Sequence, residues 1–275
     1  MRALHRRACL AASILTATAL LQVGDGQMRE PWGIALSPDG KVYLADTWNH
    51  RIQVFDSQGN FLAKWGAFAT TNGEAVGSPG DFWGPRAVAI DAAGNVYVTD
   101  TGNKRIQAFD ADGVFLTQYG GGGVVEGRFD EPVGLAIAPR PDGQPGGALF
   151  VADTWNRRIQ KFDVAFDSVL SGGGEGEDLV FTFVKEWPVE GWSSQNVTNK
   201  PFLAVDSTGV VYATDPEGYR VVAFDSEGAF KAAFGLYGSD AASFALPNGI
   251  AVGPDDRVYV ADADNHRVMV FPALR

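Results

Sequence analysis

Residues 44–56 read LADTWNHRIQVFD, and residues 151–163 of the same chain read VADTWNRRIQKFD. Such self-similarity asks first for a fixed-period reading, because a missed repeat misassigns the whole fold. Extended outward, the unit occurs five times, starting at Pro31, Pro85, Pro132, Pro201 and Pro247. Those prolines lie 54, 47, 69 and 46 residues apart. Inside each copy, apolar runs rich in Val, Ile, Tyr and Phe alternate with turn clusters such as Pro-Asp-Gly and Asp-Ser-Gln-Gly. That is the pattern of strands and hairpins, and no helical period competes with it.

The first copy supplies four strands, GIAL, VYLAD, RIQVFD and NFLAKWG, and the others follow it. A four-stranded sheet with apolar residues on both faces cannot bury itself alone. The copies must therefore stack face to face around an axis, which predicts an all-β fold, a β-propeller of five blades by repeat count, with six as the alternative. The last copy ends after its third strand. ALLQVGDGQMREPWG at 19–33 is similar to the passage between the second and third copies, so Leu20 to Val23 is expected to close the ring as an outer strand.

GIALSPDGKVYLADTWNHRIQVFD, AVAIDAAGNVYVTDTGNKRIQAFD and GIAVGPDDRVYVADADNHRVMVFP resemble the NHL-repeat family, in register each time. The resemblance implies a propeller and a family that is mostly six-bladed. It does not imply one chemistry, since the family includes binding modules, RNA-binding domains and metal-dependent lyases.

Residues 1–19 have the anatomy of a secretory signal: Arg2, Arg6 and Arg7 precede an apolar stretch from Cys9 to Leu21, and Ala17-Thr18-Ala19 is an A-x-A site. The apolar stretch is too short to span a membrane. The expectation is one propeller domain over 20–275 in an extracytoplasmic protein, periplasmic or secreted; without cleavage it would be cytoplasmic. Cys9 is the only cysteine and would leave with the signal, so no disulfide or thiol chemistry remains. The net charge is −11 and loss of the three arginines makes it more negative. A chain this acidic is a poor partner for nucleic acid, whose affinity depends on Lys and Arg at phosphates.

Asp46, Asp100, Asp153, Asp215 and Asp262 each stand five residues before Arg51, Arg105, Arg158, Arg220 and Arg267. A pair repeated in every blade reads as scaffolding across a hairpin. His50 and His266 share the residue slot before Arg in the first and fifth copies, where Lys104, Arg157 and Tyr219 stand elsewhere. With a carboxylate they are the weak candidates for a divalent metal. The third copy is expanded at 138–150 and 164–183, which reads as one Gly-rich, acidic protrusion.

The face formed by the turns between second and third strands and by the links between blades holds the candidate site. The residues after the starting prolines, Trp32, Arg86, Val133, Phe202 and Asn248, are expected at the top of the innermost strands, with Trp48 and Trp155 in the neighbouring turns. Trp32, Trp48, Arg86, Trp155, Phe202 and Asn248 would suit a peptide, sugar or small amphipathic ligand. PNGIAV at 247–252 resembles lactone-hydrolysing propellers in which an Asn binds calcium, but the matching positions here are Trp32, Arg86, Val133 and Phe202 rather than acids. The peptide-amidating lyases of this fold draw histidines from several blades, and this sequence lacks that set. The reading is a non-catalytic recognition scaffold for protein or peptide, with glycan or small molecule as further ligands, acting as a monomer without a cofactor. The alternative is a metal-dependent propeller enzyme, lyase-like or lactonase-like.

Overall fold

The computed structural model describes residues 24–71, 78–167, 178–193 and 200–274. Nineteen strands form five antiparallel sheets, one from each repeat. Blade 1 holds β1 (Ile34–Leu36), β2 (Val42–Asp46), β3 (Arg51–Phe55) and β4 (Phe61–Trp65); blade 2 holds β5 (Pro85–Ile90), β6 (Val96–Asp100), β7 (Arg105–Phe109) and β8 (Phe115–Gly120). Blade 3 holds β9 (Pro132–Pro139), β10 (Gly147–Asp153), β11 (Arg158–Asp167) and β12 (Asp178–Pro188). Blade 4 holds β13 (Leu203–Val205), β14 (Val211–Asp215), β15 (Arg220–Phe224) and β16 (Phe230–Phe234). Blade 5 holds β17 (Pro247–Val252), β18 (Val258–Asp262) and β19 (Arg267–Phe271), three strands among the described residues. The five-bladed all-β propeller expected from the repeat is thus observed. Leu20 to Val23 and the signal-like segment lie outside the described residues.

The hairpin of residues 44–56 is built as its repetition implied. Asp46 pairs with Arg51 across the strand ends, and Arg51 Nε lies 2.8 Å from Asp46 Oδ2. The equivalent Nε to Oδ2 distances are 2.7, 2.8, 2.8 and 2.9 Å in blades 2 to 5. Between them Thr47–Asn49 makes one tight helical turn, and Asn49 Nδ2 donates to the Asp46 carboxylate. The slot before each Arg is left-handed: His50, Lys104, Arg157, Tyr219 and His266 have φ between 52° and 57°. Backbone geometry, not side-chain chemistry, defines that slot, which is why four different residue types are found there.

Packing runs between blades. Four buried apolar clusters lie at the junctions of blades 1 and 2, 2 and 3, 3 and 4, and 4 and 5. Each fully buried Val, Leu, Ile or Phe contributes about 1.5–3 kcal/mol, so these four layers hold the fold. Threonine hydroxyls stitch the inner ends together: Thr47 Oγ1 donates to Pro85 O, Thr101 Oγ1 to Pro132 O and Thr214 Oγ1 to Asn248 O. Among the described residues no such cluster joins blade 5 to blade 1. Ile34 and Leu36 on one side are 67% and 69% exposed, and Val268 on the other is 65% exposed.

The expansion of the third repeat is more ordered than its composition suggested. Residues 164–167 and 178–183 continue β11 and β12, and Leu179 and Phe181 are buried against Tyr97 and Tyr119 of blade 2. Gly146 N–H, from the other expanded loop, donates to Asp91 Oδ2 of blade 2. Alternating apolar residues on either side of the Gly-rich centre lengthen the hairpin until it reaches its neighbour.

Candidate functional site

Strand register corrects one position in the expected set. Leu203 pairs with Ala213 as Ile34 pairs with Leu44 and Val88 with Val98, so Pro201, not Phe202, is the equivalent of Trp32 and Arg86. The fourth repeat is one residue shorter between its proline and its strand, and Lys200 takes the place of the starting proline. Phe202 still reaches the centre, with its ring 6.4 Å from that of Trp32.

Around these rings a charged chain crosses the inner end of the propeller. The Arg86 guanidinium carbon lies 4.1 Å from the Trp32 ring centroid, a cation–π distance. Arg86 Nη2 is 3.5 Å from Glu131 Oε1, and Lys200 Nζ is 3.5 Å from the same oxygen. Lys200 Nζ in turn stands 4.9 Å from the Trp155 ring centroid. Arg86 and Lys200 are buried. Burial pulls the Lys200 ammonium down to about 8; Glu131 opposes that shift and Arg86 adds to it. Burial also lowers the Arg86 pKa against the pull of Glu131. Lys200 Nζ, Trp155 Nε1 and Asn248 Oδ1 are buried without a hydrogen-bond partner.

Beside this chain opens a cavity of about 370 Å3 lined by Trp32, Trp48, Trp83, Arg86, Glu30 and Glu131. Trp48 Nε1 donates to Glu30 Oε2 at 3.0 Å, which fixes that ring at the rim. Trp83 leans on Gly102, where a Cβ would come within 2.5 Å of the indole, so only glycine admits it. Glu30 and Glu131 have φ of 47° and 55° in the slot where blade 2 carries Gly84 at φ 62°. Two glutamates held in a conformation that favours glycine mark this rim as strained, and strain of this kind concentrates at functional sites.

Of the expected residues, the structure brings together Trp32, Trp48 and Arg86 at the cavity, Phe202 against Trp32, and Trp155 under Lys200. Asn248 sits at the start of β17 and does not line the cavity. His50 Nδ1 accepts from Gly84 N–H at 3.0 Å, its ring packs 4.9 Å from Phe68, and burial lowers its pKa. His266 occupies the same left-handed slot in blade 5. Among the described residues no three of His, Cys, Asp and Glu are grouped to hold a metal ion, and no helix is long and apolar enough to cross a membrane. The sequence reading missed Trp83, Glu131 and Lys200. Their signal was positional: each immediately precedes, or stands for, the Gly-Pro or Pro that opens a repeat.

Five radially packed antiparallel sheets with a polar and aromatic inner end define a β-propeller. NHL repeat models match residues 28–55, 82–109 and 244–271, and the chain is an NHL-repeat β-propeller. NHL repeat-containing protein 3 of Mus musculus is 31% identical over 122 residues, 43% of this chain and 31% of that protein. Gluconolactonase of Zymomonas mobilis is 25% identical over 209 residues, 74% of this chain and 54% of the enzyme. Among solved structures, a chain from a nidogen/laminin complex superposes with a TM-score of 0.55 at 16% identity, covering 88% of this chain and 75% of that one. At that identity the likeness shows the fold alone. The first curated relatives are matched over less than a third of their own length.

Proposed function

We propose that this propeller is a non-catalytic recognition module whose tryptophan-lined cavity binds a flat apolar group carrying a polar end, such as an aromatic peptide terminus or a small amphipathic molecule. One observation carries the reading: three indoles, Trp32, Trp48 and Trp83, surround a floor made by the Arg86–Glu131 pair. Ring faces supply contact area at low conformational cost, and the Arg86–Glu131 pair offers both a donor and an acceptor. The volume suits a small ligand. An extracytoplasmic setting belongs to the same proposal and rests on residues 1–19.

The test is quenching of tryptophan fluorescence by a defined panel: phenylalanyl dipeptides, indole-3-acetate and chitotriose. Saturable quenching by one of them, weakened about tenfold or more in W83A, supports the site; quenching that W83A leaves unchanged, or none, overturns it. The rival, a metal-dependent enzyme, is favoured by one feature, the buried and unpartnered Asn248 Oδ1. Native mass spectrometry of the full chain from an exporting host decides it: one bound metal ion, lost in N248A, favours the enzyme, and a mass lacking residues 1–19 supports export.

A further inference from the structure

In blades 1 to 3 the repeated Asp and Arg also clamp the link that enters the blade. Asp46, Asp100 and Asp153 each use Oδ1 to accept the main-chain N–H of Arg29, Trp83 and Asp130, at 2.7 Å every time. Arg51, Arg105 and Arg158 hold the chain two residues earlier, donating to Gln27 O, Asp81 O and Arg128 O. The next residue of the link, Glu30, Gly84 or Glu131, is left-handed. Against it lies the hairpin of the same blade: Trp48 N–H donates to Arg29 O, Gly102 N–H to Trp83 O and Trp155 N–H to Asp130 O. Blades 1 and 2 decorate this one frame differently. Blade 1 carries its indole in the hairpin, at Trp48, and a carboxylate at Glu30. Blade 2 has glycine at both of those positions and carries its indole in the link, as Trp83, lying on Gly102. The two indoles thereby reach the same cavity, with Trp32 as the third.

These three rings do not stack on one another. Among the described residues, the ring contacts of Trp32 are to Arg86 and Phe202, that of Trp48 is to His50 and that of Trp83 is to Phe68. The charges around them are sorted by depth. Arg86, 7% exposed, lies on Trp32 and is paired with Glu131, which also faces the buried Lys200. Glu30 is exposed, makes no ion pair among the described residues, and shares the rim with Trp48 and Trp83, which are 40% and 41% exposed. A ligand entering the cavity therefore meets two indoles and a carboxylate, and the two cations lie beneath them. Indole faces and a carboxylate both attract positive charge. A methylated ammonium suits them better than a bare one, because its charge is spread over apolar methyl groups, whereas a lysine ammonium is strongly hydrated. The net charge of −11 draws cations toward the molecule as a whole.

We infer that the polar end of the ligand is a quaternary ammonium group, held by the rings of Trp48 and Trp83 with Glu30 as its counter-ion. The inference rests on the reading of this cavity as a ligand site and adds the charge and chemistry of what enters it. Glu30 serves twice: it fixes the Trp48 ring through the bond from Nε1, and it supplies the negative charge.

The probes are choline and neohexyl alcohol, its uncharged carbon isostere, titrated into the full chain and followed by tryptophan fluorescence. Choline is expected to bind about tenfold or more tightly than the alcohol, since only the charge differs. W83A should weaken choline about tenfold or more. E30Q keeps an acceptor for Trp48 Nε1 and removes the charge, so it is expected to weaken choline about threefold and leave the alcohol unchanged. Acetyl-trimethyllysine amide separates the two sources of such a group: tighter binding than choline assigns a modified lysine side chain, and weaker binding a free small molecule. Absence of choline binding, equal binding of choline and neohexyl alcohol, tighter binding of indole-3-acetate than of choline, or an unchanged preference for choline in both W83A and E30Q overturns the inference. If phenylalanyl dipeptides or indole-3-acetate still bind in a W83A-sensitive way, the recognition reading survives that failure; if no probe binds, both fall.

Discussion

Lys200 is the residue at which the centre of this molecule departs most from ordinary chemistry. Its ammonium is enclosed, shares Glu131 with Arg86, and has been brought down to about 8 by burial. In the unfolded chain a lysine titrates near 10.4, so between about pH 8 and that value the unfolded state holds more protons than the folded one. Folding stability therefore rises with pH across this window and is penalised in full below it. In urea titrations at pH 7 and pH 10, wild type is expected to gain up to about 2 kcal/mol relative to K200M, the comparison cancelling tyrosine titration common to both. Equal pH dependence of the two proteins would show that the ammonium is solvated. Trp32, Arg86 and Trp155 were legible in the sequence because they fall at repeated positions. Lys200 and Glu131 were not, because the fourth repeat is one residue short and the glutamate's importance arises from two cations brought from other blades.

Among the elements, the hairpin between the second and third strands was the most legible, since Asp, turn and Arg return five times. What the sequence hid is how differently the pairs are enclosed. Arg105 is fully buried with Asp100, whose carboxyl is pushed up by burial and held down by the arginine. Removing one member of such a pair leaves an uncompensated buried charge, and R105A is expected to cost about 3–5 kcal/mol in chemical denaturation. R220A, where the arginine is 38% exposed but Asp215 is buried, should cost less, about 1–3 kcal/mol. Equal losses would mean that the links contribute nothing to the ladder. A second element-scale device is the glycine that ends the fourth strand: Gly120 has φ 113°, and a Cβ there would lie 2.6 Å from the Phe129 ring. G120A is therefore expected to destabilise by more than 1 kcal/mol, read from the same denaturation curves. The β11–β12 extension was read only as a Gly-rich protrusion because its centre masked the alternating Val164, Phe166, Leu179 and Phe181 that pack on blade 2.

At the scale of the whole molecule, stability is carried by four layers between five sheets, and the faces that bound the fifth junction differ from all others. Ile34 occupies the same pairing position as Val88, Leu135 and Leu203, which are 6%, 5% and 5% exposed, yet Ile34 is 67% exposed. Val268 corresponds to Ile52, Ile106, Ile159 and Val221, all at 0%, yet is 65% exposed. The repeat predicted the blades and their order, but not this asymmetry, because the same apolar residues are written into a face whether or not a neighbour covers it. A charge placed on a covered face must be desolvated, whereas one on an open face stays in water. The double variant I34K/V268K is therefore expected to unfold within about 0.5 kcal/mol of wild type, the ordinary range for exposed positions, while I106K at the blade 2–3 junction should abolish the cooperative transition. If I34K/V268K is instead destabilised by several kcal/mol, the faces of blades 1 and 5 are covered in solution, and the ring closes there.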